Sequence, residues 1–377
     1  MRIFQIQNAN VSESDALADL NQQGLPEQGF VWIACARREF EVLQAQIQGT
    51  LQRLCGMQLV DLHISDLLNN QLPSHYDYTS QYDVLVFRRL AAGNTLTDLD
   101  NPGLPMTHVP VRGGPSILRR IDTSPVGFAV FDRVLLTVHP TDCTVRDAYA
   151  AKLLQSASAE SHAAGARLPT SPADLMLRIV NQMVDGYLAL RRELTQQLDH
   201  WQAELLNPKA RFNNWSSLLD ARLALHHLDE ICEEQRSSIQ DWIEALAGWE
   251  VVEGTSDHFG GHRGLELLKV RSRDVLEHIE RVVHHVRRLE QSAETAVQMH
   301  FSAQSHRTND IMRTLTALTA VFLPLNLIAG IFGMNFDFIP LLHAQAGFWW
   351  AMGSMAMIAV ALVVVFWRKR YLARTER

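Results

Sequence analysis

Residues 314–336 read TLTALTAVFLPLNLIAGIFGMNF, and residues 347–367 answer with GFWWAMGSMAMIAVALVVVFW. Neither run holds a charged residue, and about 20 helical residues at roughly 1.5 Å each are enough to cross the hydrocarbon core of a bilayer. The pattern predicts two membrane spans. A buried hairpin in a soluble fold is the alternative, but Arg313 before the first run and Arg368-Lys369-Arg370 after the second are the basic flanks of spanning helices. Arg307 also precedes the first span and Arg374 follows the second, whereas residues 337–346 between them carry no Lys or Arg. This asymmetry predicts an inner (plasma) membrane protein, multi-pass, with a short external loop at 337–346, a basic tail at 368–377 and both termini in the cytoplasm.

Working back from the first span, no proline occurs between Pro208 and Pro324. The helical pattern resumes after the glycine-rich FGGHRG at 259–264, so a stalk helix over 263–313 is expected to run on into the span. Residues 166–262 form a helical part of the soluble domain, with amphipathic runs such as LMLRIVNQMVDGYLALRRELTQQLDHWQAELL packing antiparallel across a break at Asn207-Pro208. Residues 1–165 alternate strand and helix signals, which predicts an α/β domain. Candidate strands are 2–7, 30–34, 82–90, 116–122 and 127–138, and candidate helices are 39–54 and 60–69.

The totals fit this division. A chain of 377 residues exceeds one typical domain, and 47% hydrophobic content averages a polar soluble part with an apolar end. The net charge of −7 argues against a nucleic-acid partner, which calls for a basic face, and suits a domain that handles cations. Cys35, Cys55, Cys143 and Cys232 are scattered without a CxxC pair, which points to a reduced compartment without disulfides. The start, MRIFQIQNANVSESD, has no signal-peptide pattern. No GxxxxGK[ST], HExxH or GxSxG motif is present, so neither ATP use nor catalysis is expected.

Two helices cannot enclose a water-filled path, so conduction would need a closed ring of copies. In the first span and just before it, Asn309, Met312, Leu315, Thr319, Leu323, Asn326, Gly330 and Gly333 recur at three- and four-residue steps. That stripe reads either as a pore face or as helix packing, where Thr and Gly allow close approach. Asn326 favours the first reading, since an amide in mid-span needs partners or water. Pro324 beside it predicts a kink or local adjustment, of structural or functional use.

The segment IAGIFGMNF at 328–336, with SHRTNDIMRTLT upstream and the basic WRKRYL downstream, closely resembles the CorA family of divalent-cation (Mg²⁺/Co²⁺) channels, within the CorA/ZntB superfamily of two-transmembrane proteins. FAVFDRVLLTVHP at 128–140, MVDGY at 183–187 and RDVLEH at 273–278 resemble the family's strand pair, helical element and stalk. The resemblance implies a homopentameric funnel with an α/β cytoplasmic domain, a long α-helical stalk and two transmembrane helices. It implies a selectivity filter of Gly333, Met334 and Asn335, where the Asn335 amides face the water shell of the ion. It also implies an apolar constriction at Met312 and Leu315, a narrow point at Leu323, and polar or backbone stations at Asn326 and Gly330. Asp274 matches a stalk position that binds regulatory Mg²⁺ between protomers, with Asp61, Asp66 or Asp83 as possible neighbouring acids; a solvated acid or a partner for Arg271 is the other reading. Two departures stand out: Phe332 replaces a common tyrosine, and Leu341 replaces a common acid, which leaves Asp337 as the only acid of the external loop.

The expected cargo is hydrated Mg²⁺, with Co²⁺ or Ni²⁺ as further ions, moved without a cofactor by the membrane potential, worth about 4.6 kcal/mol per 100 mV for a divalent ion. The ZntB group, which moves Zn²⁺ and is associated with proton coupling, gives the alternative. Sixteen histidines, among them His278, His284 and His285 on the stalk and His258 and His262 in HFGGH, leave that open. A non-conducting membrane-anchored sensor is a third reading.

Overall fold

The structure, a computed structural model, describes residues 1–7, 10–93, 96–97, 102, 115–141, 143–156, 168–207, 215–249, 261–334 and 346–368. By internal contacts the chain divides into two units, Met1–Ala296 and Val297–Arg377. The first unit opens with β1 (Arg2–Gln7), β2 (Asn10–Ser14), α1 (Leu17–Gln23), β3 (Phe30–Ala36), α2 (Arg37–Cys55) and α3 (Asp61–Leu68). It continues with β4 (His75–Tyr78), β5 (Asp83–Arg88), β6 (Ala91–Ala92), β7 (Ile121–Asp122), β8 (Pro125–Val130), β9 (Val134–His139) and α4 (Thr144–Ser156).

Seven strands form one sheet in the order β2-β1-β3-β9-β8-β5-β4, antiparallel except for the parallel pair β3 and β9. Every residue of β3, FVWIACA, is buried, as is every residue of β8 and β9. A strand without a polar alternation must be covered on both faces, and here it is. On one face Val31, Ile33 and Cys35 meet Phe40, Ile47 and Leu51 of α2 and Ile64 and Leu67 of α3 in a single core. On the other, Trp32 stacks on Phe4 at 4.7 Å, meets Tyr149 of α4 edge-on at 6.2 Å, and donates its indole N–H to Thr137 Oγ1 at 3.0 Å. Gly127 lets α3 approach β8, since a Cβ there would fall 2.3 Å from Leu67 Cδ2 and 3.7 Å from its Cα.

The expected strand at 116–122 is mostly a 3₁₀ turn, Ser116–Arg120, followed by the two-residue β7. Leu118 N–H closes the turn on Pro115 O at 3.2 Å, with Ile117 and Leu118 both buried. The single run at 127–138 splits into β8 and β9 at a tight hairpin, where Phe131 N–H donates to Val134 O at 2.9 Å.

Three long helices follow: α5 (Pro172–Leu206), α6 (Trp215–Ala247) and α7 (Gly261–Phe332). Ser171 caps α5 by accepting from Asp174 N–H at 3.1 Å, with Pro172 at the first helical position. Paired residues fix the directions. Asn181 meets His278 and Tyr187 meets His285, so α5 runs parallel to this part of α7; Asp229 meets Arg287 and Trp242 meets Ser272, so α6 runs antiparallel to it.

His285 is buried between these helices. Tyr187 donates its hydroxyl to Nδ1 at 3.0 Å. Thr195 spends its hydroxyl proton on Arg191 O, so its oxygen accepts from Nε2–H, also at 3.0 Å. The ring is held neutral, and burial, reinforced by the charges of Arg191 and Arg288, pushes its pKa down to about 4.

Two outcomes are expected. Gly127→Val should lower stability by about 1–3 kcal/mol, the usual cost of overpacking, read as a lower thermal unfolding midpoint; an unchanged midpoint would show that Leu67 yields freely. A histidine whose folded pKa lies below its unfolded value of about 6.5 gives stability that is present above that pH and is lost as pH falls toward 4. Stability should therefore decline across that window and less steeply in His285→Gln, with a remainder from His139, which burial also lowers to about 4. A pH slope identical in both proteins would count against this assignment.

Candidate ion-conducting site

The segment of α7 in the second unit and α8 (Gly347–Arg368) turn their apolar residues outward. Only 6% of the most apolar 18-residue window of α7 is buried, and none of that of α8. A core helix of a soluble domain would show the reverse.

Within α7 the exposure is not uniform around the axis. Asn309, Met312, Leu315, Thr319, Leu323, Asn326, Gly330 and, just past the helix end, Gly333 are all exposed, with Leu323 reaching 70%. Ala317 is buried and Val321, Pro324, Leu325, Ile328 and Phe332 are half-buried, at steps of three and four. From Ala317 on, the stripe expected to line a path and the covered stripe are thus separate faces of one helix, whereas residues 301–316 are exposed on every side. The threonines are satisfied locally: Thr308, Thr314, Thr316 and Thr319 each donate to the carbonyl four residues back at 2.7–3.1 Å. Pro324 lies inside the helix and withholds the N–H that the Ala320 carbonyl would otherwise receive.

The helix closes at the glycine turn. Gly333 N–H donates to Ala329 O at 2.9 Å and Met334 N–H to Ile331 O at 3.3 Å. A Cβ on Gly333 would lie 3.0 Å from the Ala329 carbonyl, so this position favours glycine. Phe332 is the last residue of α7. Asn335 and the loop with Asp337 and Leu341 lie outside the described residues, as do residues 369–377 and His258.

In the first unit, Asp274 is exposed on α7 and lines a cavity of about 410 Å³ with Asn181, Asp185, Arg178 and Arg271. Asp274 Oδ1 lies 3.9 Å from His278 Nε2, while His278 Nδ1 lies 3.2 Å from Asn181 Oδ1 and 3.8 Å from Asp185 Oδ1. Since the Asn181 oxygen can only accept, Nδ1 carries the proton. Arg271 is held by the buried Asp174, which also pairs with Arg178 at 3.2 Å. The sequence offers no signal joining Asn181 and Asp185 to Asp274, because they sit on different helices. Of the acids named as neighbours, Asp83 accepts from the Tyr76 hydroxyl at 2.5 Å and burial raises it to about 6, and Asp66 lies 3.8 Å from His75 Nε2. Both ring nitrogens of His285 are engaged, which removes it from any zinc set on the stalk. Among the described residues, no group of three or more His, Cys, Asp or Glu side chains within one chain is arranged to hold a metal.

Comparison with known proteins gives a consistent result. The cobalt/magnesium transport protein CorA of Thermotoga maritima is 26% identical over 204 residues, 52% of this chain and 52% of that protein. The magnesium transport protein CorA of Haemophilus influenzae is 33% identical over 102 residues, 27% of this chain and 32% of that protein. The matched region therefore spans about half the length of the first of these relatives and about a third of the second. The complete structure of the CorA magnesium transporter from Methanocaldococcus jannaschii superimposes over 98% of both chains with a TM-score of 0.68, at 16% identity, which establishes the shared fold. The family model described as CorA-like Mg²⁺ transporter protein matches residues 27–370, nearly the whole sequence, and this chain belongs to that family of divalent-cation transporters.

Proposed function

We propose that the chain is one subunit of a homopentameric channel in the plasma membrane, with both termini cytoplasmic, through which hydrated Mg²⁺ enters down the membrane potential. The observation that carries this reading is the face of α7 through Thr319, Leu323, Asn326, Gly330 and Gly333, exposed while Ala317, Val321, Pro324 and Ile328 on the other side are covered. In a ring of copies those positions would form the wall of a path: small and polar groups at Thr319, Asn326 and Gly330, and apolar groups at Met312, Leu315 and Leu323 that close it by dewetting. Gly333, Met334 and Asn335 would form the outer filter. Neutral amide oxygens suit an ion that gives up its waters reluctantly, because they hydrogen-bond to the hydration shell without displacing it. Co²⁺ or Ni²⁺ would follow as hydrated ions of the same charge. No cofactor and no catalytic step enter this reading, since the potential alone supplies the work.

Closure is assigned to cytosolic Mg²⁺ at Asp274. A site there would draw its remaining ligands from another copy, consistent with the exposure of Asp274 and with its distance from His278. Loss of that ion would let the stalks separate and the segment from Met312 to Leu323 fill with water.

Proteoliposomes holding the full chain should take up Mg²⁺ under an imposed potential without a proton gradient, and Asn335→Ala should reduce this uptake roughly tenfold or more. Zn²⁺ uptake that needs a proton gradient, with no Mg²⁺ flux, would instead favour zinc transport. In Asp274→Lys, where a fixed positive charge replaces the bound cation, inhibition by Mg²⁺ on the cytosolic side should be lost. Normal assembly with unchanged inhibition would remove Asp274 as the sensor.

A further inference from the structure

A cavity of about 1020 Å³ opens beside β4, the edge strand of the sheet, bounded by the turn from β4 to β5, the β8–β9 hairpin and the end of α6. This is at the top of the roughly 300–1,000 Å³ range of small-molecule sites. Its charge is of one sign. Asp77, Asp83, Asp132, Asp241 and Glu244 line it, and none of the described lining residues is Lys, Arg or His. Asp77 Oδ2 lies 3.1 Å from His63 Nε2 and its Oδ1 accepts from Tyr78 N–H at 2.7 Å, while Asp83 accepts from the Tyr76 hydroxyl. Asp132, Asp241 and Glu244, all exposed, have no hydrogen bond or ion pair among the described residues. The wall is also aromatic. Tyr76 stacks on Tyr78 with ring centroids 6.1 Å apart and 19° between the planes, and Tyr82 packs on Phe131 at 4.9 Å. The buried Trp242 stands edge-on to Tyr76 at 5.7 Å and to Trp249, another lining residue, at 5.6 Å.

Charge and rings, two independent features, point to the same kind of ligand. Carboxylates around one cleft focus their field into it, and aromatic rings attract organic cations through their faces. A metal ion does not fit: among the described residues no three acids or histidines converge as ligands, and Mg²⁺ asks for oxygens at about 2.0–2.1 Å around one point. A single ammonium would answer one carboxylate and leave the others repelling one another. Several ammonium groups spaced along an alkyl chain match the cavity, each meeting a separate carboxylate while the methylenes lie against the rings. We propose that this cavity binds an aliphatic polyamine, with Asp132, Asp241 and Glu244 taking its ammonium groups and Tyr78 and Trp249 its chain. The cavity lies wholly within the first unit, and binding there does not depend on ion conduction.

The test is isothermal titration calorimetry of the purified full chain in detergent with spermidine as the probe. Wild type is compared with the double variant Asp132→Asn, Glu244→Gln and with Tyr78→Ala and Tyr78→Phe. All three positions are exposed, so the variants leave the core intact, and an unchanged thermal unfolding midpoint checks this. Wild type should bind spermidine, and the double variant should raise Kd about fivefold or more. Tyr78→Ala should raise it about threefold, whereas Tyr78→Phe, which keeps the ring, should leave it near the wild-type value. No spermidine binding by wild type, or an affinity unchanged in the double variant, overturns the proposal. Binding that weakens in the double variant but is unaffected by Tyr78→Ala would reduce the cavity to an acidic surface open to any polycation, and overturns it as well. Each of these results leaves the channel reading untouched, since no ion flux is measured.

Discussion

In α8, Trp349, Trp350, Met357 and Val360 are all more than 60% exposed, and in α7 so are Ile311, Met312, Leu323 and Leu327. Each such side chain gains about 1.5–3 kcal/mol when removed from water. Leaving these eight side chains in water would therefore forgo roughly 12–24 kcal/mol, as much as or more than the net stability of about 5–15 kcal/mol typical of a folded domain. A lipid bilayer supplies the surroundings that remove this cost, and a helix is the conformation that satisfies its own backbone there. The second unit becomes a sensible structure only in those surroundings.

The first unit solves its own burial. Its central strands are apolar on both faces because α2 and α3 cover one side and α4 and α5 the other. Three enclosed polar side chains are paired across elements: Trp32 with Thr137, Trp242 with Ser272, and His285 with Tyr187 and Thr195. A buried imidazole with both nitrogens committed is a packing device, and it fixes the register of α5 against α7 more tightly than apolar contacts alone, which tolerate sliding. Asp174 does similar work at the start of α5, where it serves the helix cap and pairs with Arg178 and Arg271.

Much of this was legible in the sequence, for identifiable reasons. Uninterrupted periodicity over many turns pointed to long helices where α5, α6 and α7 stand, without separate bounds for α6, and charge-free length marked the two apolar runs. The strands with apolar runs, β1, β3, β5, β8 and β9, were also readable. The pieces missed were short or polar. β2 (NVSES) and β4 (HYDY) have little apolar content and sit at the sheet edges, and α1 and α4 lack a strong apolar stripe. For the site, three- and four-residue spacing grouped Thr319, Leu323, Asn326 and Gly330 on one side of α7. Contacts between helices did not: nothing local in the sequence says that His285 turns into the bundle whereas His284 beside it stays exposed, or that Asn181 and Asp185 meet His278.

The composition of the span also bears on how selection would work. A pore that attracts cations with carboxylate rings gains affinity and rate but discriminates by charge alone. Here residues 314–336 contain no carboxylate and the loop at 337–346 contains only Asp337. Charge would therefore contribute little beyond excluding anions, and discrimination among divalent ions would fall to the hydrogen-bonding geometry of neutral oxygens. Such oxygens bind weakly enough to release the ion, which a channel requires, and they depend on the waters an ion keeps. Mg²⁺ keeps its waters most firmly of the common biological divalents, so any path lined by neutral oxygens alone would favour such an ion without needing to hold it tightly.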